Sequence, residues 1–119
     1  MHELGVAAGI LDIVRQHVPA SEAHRVRAVR VRLGEIAGVV PDSLDFCFGA
    51  IVAGTPYASA SLAIERVPAR GRCGACGRLV ELSPLQWVCP SCGGLGLTAL
   101  SGDELQVADV ELDDAAEVA

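Results

Sequence analysis

The chain is 119 residues long and 51% hydrophobic, with fifteen acidic residues against nine arginines and no lysine, a net charge of −6. That length allows one modest core, the acidic balance leaves little to neutralise phosphates and argues against a nucleic-acid partner, and no apolar run reaches the roughly eighteen residues of a membrane span. The first residues also lack the basic start and apolar stretch of a signal peptide, so a cytoplasmic protein with no membrane partner is expected.

Residues 3–18 read as an amphipathic helix, with Leu4, Ala7, Leu11, Val14 and Val18 at helical spacing, and Pro19 ends it. Over 25–33 the period changes to two: Val29, Val31 and Leu33 share one face, Arg30 and Arg32 the other, as in a half-buried strand. Gly34 and Gly38 break this strand. Pro41 with Asp42 or Ser43 then opens a second helix through Val52, expected to bury Leu44, Cys47, Phe48 and Ile51. Gly54-Thr55-Pro56 stops the helix, and 61–67 has the branched, alternating character of a second strand with Leu62 and Ile64 on one face.

Two identical clips follow, Cys73-Gly-Ala-Cys76 and Cys89-Pro-Ser-Cys92, separated by twelve residues. Each clip turns the backbone so that two thiolates meet, and the spacing is that of a tetrahedral Cys₄ site holding structural Zn(II). Two disulfides are the competing reading, and nothing else marks the chain as secreted. The glycine-rich segment around the clips can bury little, so metal binding has to fold it, with a binding free energy on the order of 10 kcal/mol for a structural zinc site.

Beyond the clips, 104–112 reads as a third strand. Its apolar parity shifts between Leu105 and Val107 and Val110 and Leu112, which predicts a β-bulge near Ala108 or Asp109. Residues 113–119, acidic and small, are expected to lack structure. The fold class is therefore α+β: two helices on a small three-stranded sheet, with an inserted Cys₄ zinc-ribbon domain. Residues 1–67 and 100–119 form a discontinuous α/β domain, 68–99 the zinc domain, and the strands flanking the cysteines are expected to pair with each other.

The amino terminus offers a second metal chemistry. In Met1-His2-Glu3, the α-amine, the intervening amide nitrogen and the imidazole of His2 can close small chelate rings around one ion. Planar nitrogen-rich donor sets suit Ni(II) or Cu(II), where zinc prefers a tetrahedron. At a helix start the amides of His2 and Glu3 have no intrahelical acceptor, so losing their protons to a metal breaks no helix bond. Taken alone, a histidine so near a terminus is more often only solvated.

Met1-His2-Glu3-Leu4, Leu33-Gly34-Glu35 with Gly38-Val39-Val40-Pro41, the Cys73/Cys76/Cys89/Cys92 ribbon and Leu100-Ser101-Gly102-Asp103-Glu104-Leu105 occur in one order along the chain. Together they resemble the HypA/HybF nickel metallochaperones of [NiFe]-hydrogenase maturation. The resemblance implies that this chain is no enzyme but a carrier that delivers nickel. It assigns Ni(II), as cargo, to His2 with the Met1 amine and the amides of His2 and Glu3, and Zn(II) to the four cysteines. It implies a HypB-type GTPase and the [NiFe]-hydrogenase large subunit as partners, with urease maturation proteins as further partners for some members. An acidic nickel neighbour before the second helix would be Asp42 or Glu35; the plainer role of Asp42 is a helix cap.

The remaining residues invite plain readings. Cys47, among Leu44, Phe46, Phe48 and Ile51, is expected to be a small buried hydrophobe, and His17 and His24 favourable charges near a helix end. Trp87 is read as the miniature core of the ribbon, and Arg25, Arg27, Arg30 and Arg32 as a charged sheet face open to acidic partners. Two other functions compete with the carrier. A zinc-ribbon module for nucleic acid or transcription machinery would need a basic or aromatic stripe; a rubredoxin-like electron carrier would hold iron in the same thiolates and absorb visible light. No nucleophile, base and orienting group stand together at interpretable spacing for an enzyme.

Overall fold

A computed structural model of the chain describes residues 2–85 and 87–113. Its elements are α1 (His2–His17), a 3₁₀ turn (Ala20–Arg25), β1 (Val26–Gly34), α2 (Pro41–Val52), β2 (Ser61–Val67), β3 (Arg70–Cys73), β4 (Leu79–Glu81), β5 (Leu97–Ser101) and β6 (Leu105–Leu112). They form two three-stranded sheets, ordered β2-β1-β6 and β4-β3-β5, and no described helix is long and apolar enough to cross a membrane. The tail expected to lack structure lies, beyond Asp113, outside the described residues.

The chain divides into two compact units. The first comprises residues 1–31, 39–64 and 107–119, the second 32–38 and 65–106.

In the first unit, α1 packs on α2. Ala7, Ile10, Leu11 and Val14 of α1 and Leu44, Cys47, Phe48 and Val52 of α2 are buried, together with Val26, Val29 and Val31 of β1. Cys47 is thus a core residue, as its apolar neighbours imply. Ile51 is only half-buried: the helical face that packs inward runs 44, 47, 48 to 52, so Val52 takes the place assigned to it. Where α1 ends, the buried Tyr57 donates its hydroxyl proton to the Val18 carbonyl at 2.9 Å, and the Arg15 guanidinium lies 5.9 Å from the centre of its ring.

The strand pairing differs from expectation. β2 and β6, which bracket the cysteines in sequence, do not pair; β1 lies between them. A central strand has both edges covered, and β1 is the strand whose apolar side chains, Val26, Val29, Val31 and Leu33, are all fully buried. The outward arginines differ as well. Arg30 is bonded to Asp109 at 2.8 Å and Glu111 at 2.9 Å, Arg27 to the Asp113 carboxylate, and Arg25 to Glu22 at 2.7 Å. The acidic partners of this face belong to the same chain, because β6 beside β1 sets an acidic row against a basic one.

In the second unit the chain enters and leaves the cysteine segment at one backbone junction. A Cβ on Gly34 would stand 1.9 Å from the Gly102 carbonyl oxygen, and a Cβ on Gly102, at φ +105°, 2.5 Å from Ala69. Only glycine permits this approach. Around it the Gly34 N–H donates to Glu104 O (2.8 Å), the Glu35 N–H to Val67 O (3.0 Å) and the Ile36 N–H to Gly102 O (2.8 Å). From this junction β3 runs out with β4 and β5 antiparallel on either side. Trp87 makes no core here: it is 67% exposed, and among the described residues between 70 and 98 the only buried side chains are those of Cys73 and Cys89.

Candidate metal centre

The two clips fold alike. In the first, the Gly77 N–H donates to Cys73 O (2.8 Å) and the Cys73 N–H to Arg78 O (3.0 Å); in the second, the Gly93 N–H donates to Cys89 O (2.8 Å) and the Cys89 N–H to Gly94 O (2.8 Å). Gly77 and Gly93 both take φ +74°, the left-handed conformation that lets each turn close. The repeat buries the first cysteine of each clip, Cys73 and Cys89, and leaves the second, Cys76 and Cys92, exposed.

All four sulfur atoms lie within 4.8 Å of one another. Cys73 Sγ is 3.6 Å from Cys92 Sγ, and Cys76 Sγ is 3.8 Å from Cys89 Sγ. A regular tetrahedron with metal–sulfur bonds near 2.3 Å has edges of about 3.8 Å, so the thiols already stand at the separations of a four-coordinate metal. No disulfide joins them. The backbone is arranged for negative sulfur: Cys73 Sγ accepts from the N–H groups of Ala75 (3.4 Å) and Cys76 (3.5 Å).

The thiol acidities carry the same message. The Cys76 and then the Ala75 N–H groups lower the Cys73 thiol to about 6, and the Cys92 N–H lowers that of Cys89. For Cys92 the Gly94 N–H favours the thiolate, yet the Cys73 thiol, burial and the remaining thiols outweigh it and push the value up to about 12. Four sulfurs this close cannot all ionise unaided. A bound cation reverses that penalty, which makes the donor set fit for a thiophilic divalent metal.

At the other end of the chain, His2 is the first residue of α1 and its side chain is 59% exposed. Its Nδ1 lies 3.8 Å from a Glu3 carboxylate oxygen. The same oxygen accepts the Val40 N–H at 3.3 Å, and Val40 is the residue that caps the start of α2. The Val40 N–H, then the Glu3 backbone and to a smaller degree His2 hold the Glu3 carboxyl below its ordinary 4.5. Met1 lies outside the described residues.

Residues 1–112 match the family model described as "HypA: Hydrogenase/urease nickel incorporation, metallochaperone, hypA". The chain belongs to the HypA family. A Streptomyces avermitilis protein named hydrogenase maturation factor HypA is 46% identical over 116 residues, covering 96% of this chain and 88% of that protein. One of the same name from Geobacter sulfurreducens is 38% identical over 113 residues, 95% of this chain and all of that one. Of solved structures, the Ni metallochaperone HypA from Helicobacter pylori has the same fold at TM-score 0.62 and 19% identity, with 93% and 97% of the two chains covered. A second solution structure of a HypA protein gives 0.61 at 22% identity, covering 94% and 96%.

The motifs that carried the HypA resemblance divide by role. Leu33-Gly34-Glu35 and Ser101-Gly102-Asp103 build the junction of the second unit. Glu35, one of the two carboxylates considered for nickel, accepts the Ala69 N–H at 3.0 Å. Asp42, the other, is exposed in the first turn of α2 and makes no side-chain capping bond. The contact that sequence reasoning missed is the Glu3 side chain on Val40. Its only signal was the position of Glu3 inside the amino-terminal motif, since a separation of 37 positions hides the contact from any local pattern.

Proposed function

We propose that this chain binds Ni(II) at its amino terminus, through the Met1 amine, the amides of His2 and Glu3 and the His2 imidazole, and delivers it for maturation of [NiFe]-hydrogenase. The observation that carries the reading is that α1 starts at His2. The amides of residues 2 and 3 then face no intrahelical acceptor, and the imidazole beside them is exposed. An exposed site whose donors can be reprotonated suits transfer to a tighter acceptor. Amine, amide and imidazole nitrogens bind a metal only once their protons have left, so nickel affinity should fall as pH falls.

The four thiolates of Cys73, Cys76, Cys89 and Cys92 would hold Zn(II), which folds the segment and leaves no open position for catalysis. The partners in this reading are a HypB-type GTPase and the hydrogenase large subunit, with urease maturation proteins as further recipients, all in the cytoplasm. Calorimetric titration of the untagged protein with Ni(II), beside a form carrying extra residues before Met1, tests the terminal site. Loss of one equivalent of tight binding in the extended form is expected. Equal binding by both forms would refute the use of the α-amine.

A further inference from the structure

The outer face of α2 has no task in the fold. It consists of Asp42, Asp45, Phe46, Gly49, Ala50 and Ala53, all exposed. Phe46 is 77% exposed while Phe48, two residues on, is 1% exposed, so one of only four aromatic side chains in the chain stands in water. Gly49 sits inside the helix, where glycine costs about 1 kcal/mol relative to alanine. An added Cβ there would meet nothing within 4 Å, so nothing within the chain requires glycine. The face is a protruding ring followed by a flat strip on which a partner backbone can lie close.

Charge identifies the partner. By sequence the first unit holds ten acidic residues and four arginines, the second five of each, so the whole net charge falls in the first. All four of those arginines are engaged: Arg15 with Asp12, Arg25 with Glu22, Arg27 with Asp113, and Arg30 with Asp109 and Glu111. The carboxylates of Asp42 and Asp45, both exposed, make no hydrogen bond or ion pair among the described residues. The helix dipole stabilises Asp42 in the first turn, but Asp45 lies beyond that turn. An acidic rim around an exposed aromatic repels phosphates and matches a basic-rimmed apolar pocket on a protein.

We propose that this face of α2 docks the protein that receives the nickel, through a pocket on that protein lined by apolar groups and edged by lysine or arginine. This rests on the carrier reading above. The placement serves transfer, because the start of α2 is tied to Glu3, next to His2, and a partner seated on α2 is held beside the metal.

The test measures binding of immobilised large-subunit precursor to the full-length protein and to Asp45→Lys, Phe46→Ala and Gly49→Ala, at about 50 and 300 mM salt. Phe46→Ala and Asp45→Lys should each weaken binding by about tenfold or more, and parental binding should weaken with salt. Gly49→Ala should raise the unfolding temperature and still lose binding, which a merely structural residue would not do. All three variants should take up nickel like the parent. Parental affinity in the variants, no binding by the parent, or a loss confined to the GTPase or to self-association would each overturn the proposal. Failure of nickel uptake by the parent would instead count against the terminal-site reading, since precursor binding is scored separately.

Discussion

In the first unit Val14, Val29, Val31, Leu44 and Phe48 are each at most 1% exposed, a continuous apolar core between two helices and a strand. Between residues 70 and 98 of the second, Leu79, Leu85, Trp87 and Leu95 face water and the described buried side chains are Cys73 and Cys89. One unit folds by removing hydrocarbon from water. The other converges on four sulfurs and lacks the apolar burial to hold itself together, so its core is the metal site. The difference teaches where each kind of residue can be spared. Glycine and exposed leucine are tolerated around the cysteine cluster, and an exposed histidine at the start of α1 is tolerated on a unit that a core already stabilises.

The sharpest way to break this contrast is Cys89→Ser. Zinc should be lost entirely, with amide protection disappearing over 70–101 and persisting in α1 and α2 by hydrogen exchange. Simultaneous loss in the helices would show that the contrast is wrong. The converse substitution, Phe48→Ala, should cost about 3 to 5 kcal/mol by core truncation. Denaturant unfolding followed by helical circular dichroism measures this, and bound zinc should survive to denaturant concentrations at which the helices have melted.

Surface charges should matter far less. Arg30→Gln removes a guanidinium that is half exposed and bonded to Asp109 and Glu111, and should cost about 0.5 kcal/mol at low salt, shrinking as salt rises. A loss several times larger would mean that the basic and acidic rows are a main support of the first unit. The smallest effect belongs to Glu3. Its folded-state value lies below the ordinary 4.5, so its contribution is full above that pH and fades as pH falls toward the lower folded value. Glu3→Gln should therefore lower stability slightly at neutral pH and converge with the parent as pH falls below 4.5; a difference that persists unchanged into acid would contradict it.

Local periodicity exposed both helices and the outer strands to within a residue or two, because the 3.6 and 2 periods record which face is buried. It could not record partners. That β1 separates β2 from β6, that Arg30 meets Asp109, 79 positions on, and that Glu3 meets Val40, 37 positions on, are all contacts far apart in sequence. The short strands beside the clips were invisible for another reason: Arg70–Cys73 and Leu79–Glu81 are too brief for a pattern and are held by their register with each other. The cysteine centre was the most legible feature, since spacing within each clip fixes where two thiols point. Trp87 misled because a tryptophan in a small domain usually marks its core, and this segment keeps sulfur there instead.

In the proposed carrier two metal sites have separate supports, one built on the thiols and one on the chain start. Native mass spectrometry of His2→Ala, loaded with both metals beside the parent, tests this most directly. The parent should carry one zinc and one nickel, and His2→Ala one zinc and no tightly held nickel. Retention of nickel by His2→Ala, or loss of zinc along with it, would contradict the claim.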